Sequence, residues 1–175
     1  MRAQRVVIVI LLVAVCALFL AGPAVAAVSL NKYEAQLVAQ INKVRAKRGL
    51  PRLRVNAKLV NAARSHSADM SLHKHFGHDS SNGEPWSARL VRHGYTRKGC
   101  RVWKAGENIQ YATGLCSSPC LVVKAWMNSK GHRRVILTKA FRDIGVGAKK
   151  TETGFRGIDG VVWFFTLDLG RRVIK

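Results

Sequence analysis

Two hydrophobic periods follow one another along this chain, and their order restricts the fold more than any other feature. Up to about residue 137 the apolar residues recur at helical spacing. Beyond residue 142 they fall into short β-branched and aromatic runs. "NKYEAQLVAQINKVRAKRGLP" is signed as a helix at both ends. Asn31 can cap it, with Glu34 three residues on reaching back. Leu37, Ile41 and Val44 share one face, Gly49 ends it and Pro51 follows. "NAKLVNAARSHSADMSLH" is a second helix, capped by Asn56, with Leu59, Ala63, His66 and Met70 in one stripe. A histidine on an apolar face reads as a core residue. "EPWSARLVRHGY" begins a short third helix. "SSPCLVVKAWMNSKGHRRVIL" opens a fourth at Ser118-Pro119, with Val122, Trp126 and Met127 apolar. Gly131 is expected to end it and to leave His132 just beyond its C-terminus. "RDIGVGAKK", the turn "TETG" and "GVVWFFTLDLG" read as strands. Helices first and strands last define an α+β class, with helices packed on a small antiparallel sheet.

The 175 residues suit one domain behind a targeting segment. "MRAQR" precedes the apolar run "VVIVILLVAVCALFL", and "AGPAVAA" places Ala24 and Ala26 in the A-x-A positions of a signal-peptide cleavage site. Residues 1–27 are therefore expected to be an export signal, and 28–175 the domain. The uncharged stretch from Val6 to Val28 is also long enough for an uncleaved anchor, but Pro23 and its small neighbours favour cleavage. Cys16 follows the bulky Val15, which argues against lipidation. Cleavage removes Arg2 and Arg5, leaving 28 basic residues against 9 acidic ones and a formal charge of +19. Such a surface attracts anionic polymers and membranes, and the attraction fades with salt. Arg45, Lys47, Arg48, Arg52 and Arg54 form the densest basic stretch. No recognised nucleic-acid fold accompanies it, so it reads as a solvated face and no specific nucleic-acid partner is expected. Outside the cytoplasm a disulfide is expected among Cys100, Cys116 and Cys120. A pair using Cys100 would clip together the ends of "GENIQYA", whereas Cys116 with Cys120 would close only a tiny loop. Their spacing matches no common zinc pattern. The odd thiol leaves a disulfide-linked dimer open.

Three candidate ligands stand beside glycines: His78 in "FGHDSS", Glu107 in "AGENIQ" and His132 in "SKGHRR". Two imidazoles and a carboxylate suit a zinc-type divalent cation with one position open for water. Imidazole must be neutral to bind metal, so affinity should fall with pH. Scattered histidines and glutamates are also ordinary surface residues, and spacing alone does not decide. Asp79 reads as a turn residue, and His73, His75 and His93 as surface residues.

"HSADM" (66–70), "HFGHDSSNGEPW" (75–86), "GENIQYA" (106–112), "AWMNSKGHRRVIL" (125–137) and "DIGVGAKK" (143–150) occur in one order. Together they resemble the bacterial branch of the CAP superfamily, which includes cysteine-rich secretory proteins, insect antigen 5 and plant pathogenesis-related proteins. The resemblance runs from about Leu30 to about Gly170. It implies an α-β-α sandwich with a cleft lined by a His/Glu tetrad. His78, Glu107 and His132 match three of the four, and the remaining glutamate position is Ser129. Lys130 and Val135 stand where the family has proline and asparagine, and Lys130 adds positive charge where a cation would sit. The resemblance also implies a secreted binding module for lipid or sterol, anionic cell-envelope polymers or an extracellular protein. The alternative is a metal-dependent hydrolase, with Glu107 and His132 acting on a metal-bound water. No Ser-His-Asp order or H-E-x-x-H motif supports catalysis, and Ser129 reads as a cap rather than a nucleophile. Asn108 is expected to bond backbone and fix its loop. Glu107 has a second, structural reading: it accepts hydrogen bonds from protonated histidines and holds the two halves of the domain together.

Overall fold

The computed structural model describes residues 28–175, so the expected export signal lies outside the described residues. Its elements in chain order are α1 (Lys32–Ala46), β1 (Arg54–Val55), α2 (Ala57–Leu72), α3 (Trp86–Arg92), β2 (Cys100–Thr113), α4 (Pro119–Asn128), α5 (Lys130–Ile136), β3 (Asp143–Thr151) and β4 (Val162–Ile174). A single 3₁₀ turn, Gly114–Ser117, joins β2 to α4.

The capping signals act as written. Asn31 Oδ1 accepts from the Glu34 amide at 3.0 Å, and Glu34 returns the bond to the Asn31 amide at 2.9 Å. Asn56 caps α2 through the Lys58 and Leu59 amides. The strand order is β1-β3-β4-β2. The three long strands are antiparallel, as expected, while the two-residue β1 pairs parallel to β3 and makes the sheet mixed.

Strand alternation sorts the sheet into two faces. Ile144, Val146, Phe165, Leu167 and Leu169 point to one face and bury against α1, α4 and α5 through Leu37, Ile41, Val122, Trp126 and Ile136. The other face carries Ile109, Phe164 and Val162 against Met70 of α2, and then Leu59, Ala62, Leu90 and Tyr95. The result is a three-layer α-β-α sandwich. Gly145 and Gly147 permit its tightest contact. A Cβ on either would collide with the backbone of α2 at Leu59 and Ala63. Helix α2 therefore rests directly on β3.

Three expectations are corrected. "GENIQYA" is not a loop: Gly106–Ala112 lies within the fourteen-residue edge strand β2. The helix from Pro119 does not run on to Gly131. Ser129 adopts extended backbone (φ −87°, ψ 125°), caps the end of α4 and starts α5, so Gly131 and His132 sit in the first turn of α5. The Cys100 disulfide is ruled out by reach. Cys100 begins β2, while Cys116 and Cys120 follow its far end, roughly 40 Å away at the rise of an extended strand. A disulfide needs Cα atoms within about 7 Å. All three thiols are free.

Candidate functional site

Edge strand β2 presents Glu107 to the α2–α3 side of the sheet and Asn108 to the α5 side, because successive strand residues face opposite ways. The Glu107 carboxylate is buried and both its oxygens are engaged. Oε1 accepts from His78 Nδ1 at 2.8 Å, and Oε2 accepts from Arg89 Nη2 at 2.5 Å. Arg89 comes from α3 and is itself fully buried. Its Nη1 donates to Ser80 Oγ at 2.9 Å and its Nη2 to the His78 carbonyl at 3.1 Å. One guanidinium thus ties the 78–80 loop to the sheet. His66 adds a second tie: its Nε2 donates to the Gly77 carbonyl at 2.9 Å. Burial pushes the His66 pKa down to about 4, with the Arg89 charge adding to the effect, so the ring is neutral at physiological pH. Asp79 is a turn residue, as its sequence suggested, and accepts from the Trp86 amide that opens α3.

The imidazole of His78 is about half exposed. Its hydrogen bond to Glu107 holds its pKa above the ordinary histidine value, against the cost of burial. It is the outlet of the network to solvent. His132 behaves in the opposite way. Burial lowers its pKa and the nearby His78 lowers it further, which places the two rings in electrostatic contact. The arrangement pairs a histidine whose pKa is raised with one whose pKa is lowered.

Beneath Glu107 lies a residue that the sequence did not single out. Asp168 of β4 stands directly opposite Glu107 in the β2–β4 register and opposite Gly145 on its other side. It is fully buried, and among the described residues no donor reaches either carboxylate oxygen. Burial raises its pKa well above the carboxylate range, the Glu107 charge raises it further, and Arg89 only partly opposes them. Asp168 is therefore held toward its protonated form, in which it can donate a hydrogen bond to Glu107.

On the far side of β2, Asn108 Nδ2 donates to the His132 carbonyl at 3.1 Å. It does bond backbone, but it fixes helix α5 against the strand rather than a loop. Ser129 sits at the α4–α5 junction, where its carbonyl accepts from the Arg133 amide at 2.9 Å. It supplies no carboxylate.

The zinc-type cation expected on His78, Glu107 and His132 does not fit these residues. Both Glu107 oxygens are already bonded, one of them to a buried cation that would repel a metal ion. Among the described residues, no three His, Cys, Asp or Glu side chains are grouped so as to hold a metal.

Little in the sequence marks the missing partners. Arg89 is one basic residue among 30 and has no contrast. Asp168 did carry a signal: it is one of only nine acids, and it interrupts the apolar run "VVWFFTLDLG".

Fold and site define a class: a three-layer α-β-α domain with a His–Glu pair at the rim of an edge strand, clamped from below by arginine. The chain belongs to the CAP, or cysteine-rich secretory protein, family, whose model matches residues 38–169. It is 41% identical over 120 residues to the uncharacterised protein YkwD of Bacillus subtilis, covering 68% of this chain and 43% of that one. Its identity to the uncharacterised membrane protein YlbC of the same organism is 32% over 117 residues, covering 67% of this chain and 32% of YlbC. The chain thus spans less than half the length of these relatives. Among solved structures it is similar to an extracellular SCP-domain protein of Bacillus anthracis, with TM-score 0.62, 26% identity and coverage of 83% and 45%. It shares its fold with an outer surface protein of Borrelia burgdorferi, with TM-score 0.60, 18% identity and coverage of 78% and 90%.

Proposed function

We propose that this chain is an extracellular binding module for an anionic polymer of the cell envelope. The observation that carries the reading is the closure of the Glu107 site. A carboxylate that already accepts from Arg89 and His78 is neither an open metal ligand nor a free general base. The remaining chemical resource is charge, at +19 for residues 28–175. Surface cations at this excess draw polyanions by long-range attraction and counterion release. The similarity to an extracellular SCP-domain protein supports the extracellular part of this reading. No helix among the described residues is long and apolar enough to cross a membrane.

The test is co-sedimentation of the purified protein with isolated anionic envelope polymer, beside an unrelated basic protein of equal net charge. The expected result is retention stronger than the control at low salt, released as salt rises. Retention that ignores salt, or that only equals the control, would sink the reading.

A further inference from the structure

Between Glu107 and Asp143 the sequence contains no acid, yet Lys124, Lys130, Arg133, Arg134, Lys139 and Arg142 all fall there. This stretch folds into the second half of β2 and the α4–α5 layer. Some basic side chains elsewhere are already paired or buried. Arg64 pairs with Glu34, Arg92 with Glu84, Arg54 with Asp143 and Lys150 with Glu152. Arg45, first of the dense basic stretch, is buried and donates to the carbonyls of Pro51, Ile136 and Thr138.

Helix α5 differs. Lys130, Arg133, Arg134 and Leu137 recur at i, i+3, i+4 and i+7 and so share one face. Ile136, which buries in the core, lies on the other side. The outward face, with Gly131, lines an open hollow of about 450 Å³. All three cations are exposed, and among the described residues none is paired with an acid. Arg133 is held in place, because its Nη1 donates to the Met127 carbonyl at 3.0 Å. A fixed guanidinium loses less freedom on binding than a loose one.

We propose that this face of α5 is the docking site for a phosphodiester polymer of the polyol-phosphate type. The proposal rests on the reading of the chain as a polyanion-binding module and gives that reading a location and a chemistry. Guanidinium forks match phosphate oxygens with paired N–H bonds, and the ammonium of Lys130 adds a point charge. A phosphodiester carries its charge in the main chain, so successive links can meet successive cations along one short helix. Leu137 offers an alkyl surface to the carbons between phosphates. No aromatic side chain lines the hollow, so nothing in it would stack a nucleotide base.

The experiment titrates poly(glycerol phosphate) into the purified protein over a series of salt concentrations. Lys130→Gln/Arg133→Gln/Arg134→Gln is compared with Lys47→Gln/Arg48→Gln/Arg52→Gln, which removes equal charge from the basic stretch after α1. Lys130→Gln/Arg134→Gln spares the Arg133–Met127 bond and guards against misfolding. The α5 triple variant should lose about tenfold or more in affinity, and its log–log salt slope should fall by about two. The double variant should lose most of that affinity, while the control triple stays within about threefold of the parent. Equal losses in both triple variants would overturn the site and leave diffuse binding. Polyglutamate of matched charge should bind more weakly, and equal affinity would overturn the phosphodiester assignment. A parent protein that does not bind poly(glycerol phosphate) but is retained on other anionic envelope polymer would also overturn it. Failure to bind any of them would remove the proposed function as well.

Discussion

Arg89 is the residue on which the site depends. It is the one cation that reaches Glu107 from beneath, and it also holds Ser80 and the His78 carbonyl. Replacing one partner of a buried ion pair leaves the other charge without compensation. Arg89→Met should therefore cost about 3–5 kcal/mol in urea unfolding at neutral pH. A loss below about 1 kcal/mol would mean that the pair is dispensable. Asp168 gives a pH test. Its folded pKa is raised from the ordinary value of 3.8, so the folded state holds a proton that the unfolded chain releases. Its contribution is complete below about pH 4 and declines as pH rises toward the folded pKa. Asp168→Asn keeps the shape and a donor toward Glu107 but has no proton to lose. The variant should gain on the parent by up to about 1.4 kcal/mol per pH unit between pH 5 and the folded pKa of Asp168. A difference that stays flat over this range would show that Asp168 is ionised in the fold.

At the scale of elements, the contact between α2 and β3 needs two residues without side chains. Gly145→Ala would set a Cβ against the Leu59–Val60 backbone, where no flexible group can yield. It should destabilise the domain by about 3 kcal/mol, near the top of the range for overpacking, and a thermal melt unchanged from the parent would contradict this packing. Helices α1 and α2 were legible because their caps and apolar stripes are local, and β3 and β4 because β-branched runs stand between turn signals. Strand β2 was not. "CRVWKAGENIQYAT" mixes polar and apolar residues because it lies at an edge, half in the core and half against the His78 loop. The break at Ser129 was also hidden, since neither proline nor glycine marks it and the nearest breaker, Gly131, stands two residues further on. His78, Glu107 and His132 were legible as separate motifs. Their meeting at the edge of one strand was not, because it follows from β2 being extended. Arg89 and Asp168 are joined to Glu107 only by tertiary packing.

In the whole molecule a closed ion-pair site stands beside a strongly basic surface, and the two have different work. The site holds loop, sheet and helix α3 together through Glu107, and its exposed rim is His78, whose pKa the Glu107 carboxylate raises. The surface is where we propose that the partner binds. The central claim is that Glu107 is a structural anchor rather than a metal ligand. Calorimetric titration of zinc into the chelator-treated protein at neutral pH, beside His78→Ala and Glu107→Ala, tests it most directly. The account predicts no tight one-to-one binding in the parent and a lower melting temperature in Glu107→Ala, which strands the Arg89 charge. Tight one-to-one binding that is lost in both variants and weakened at mild acid pH would contradict it.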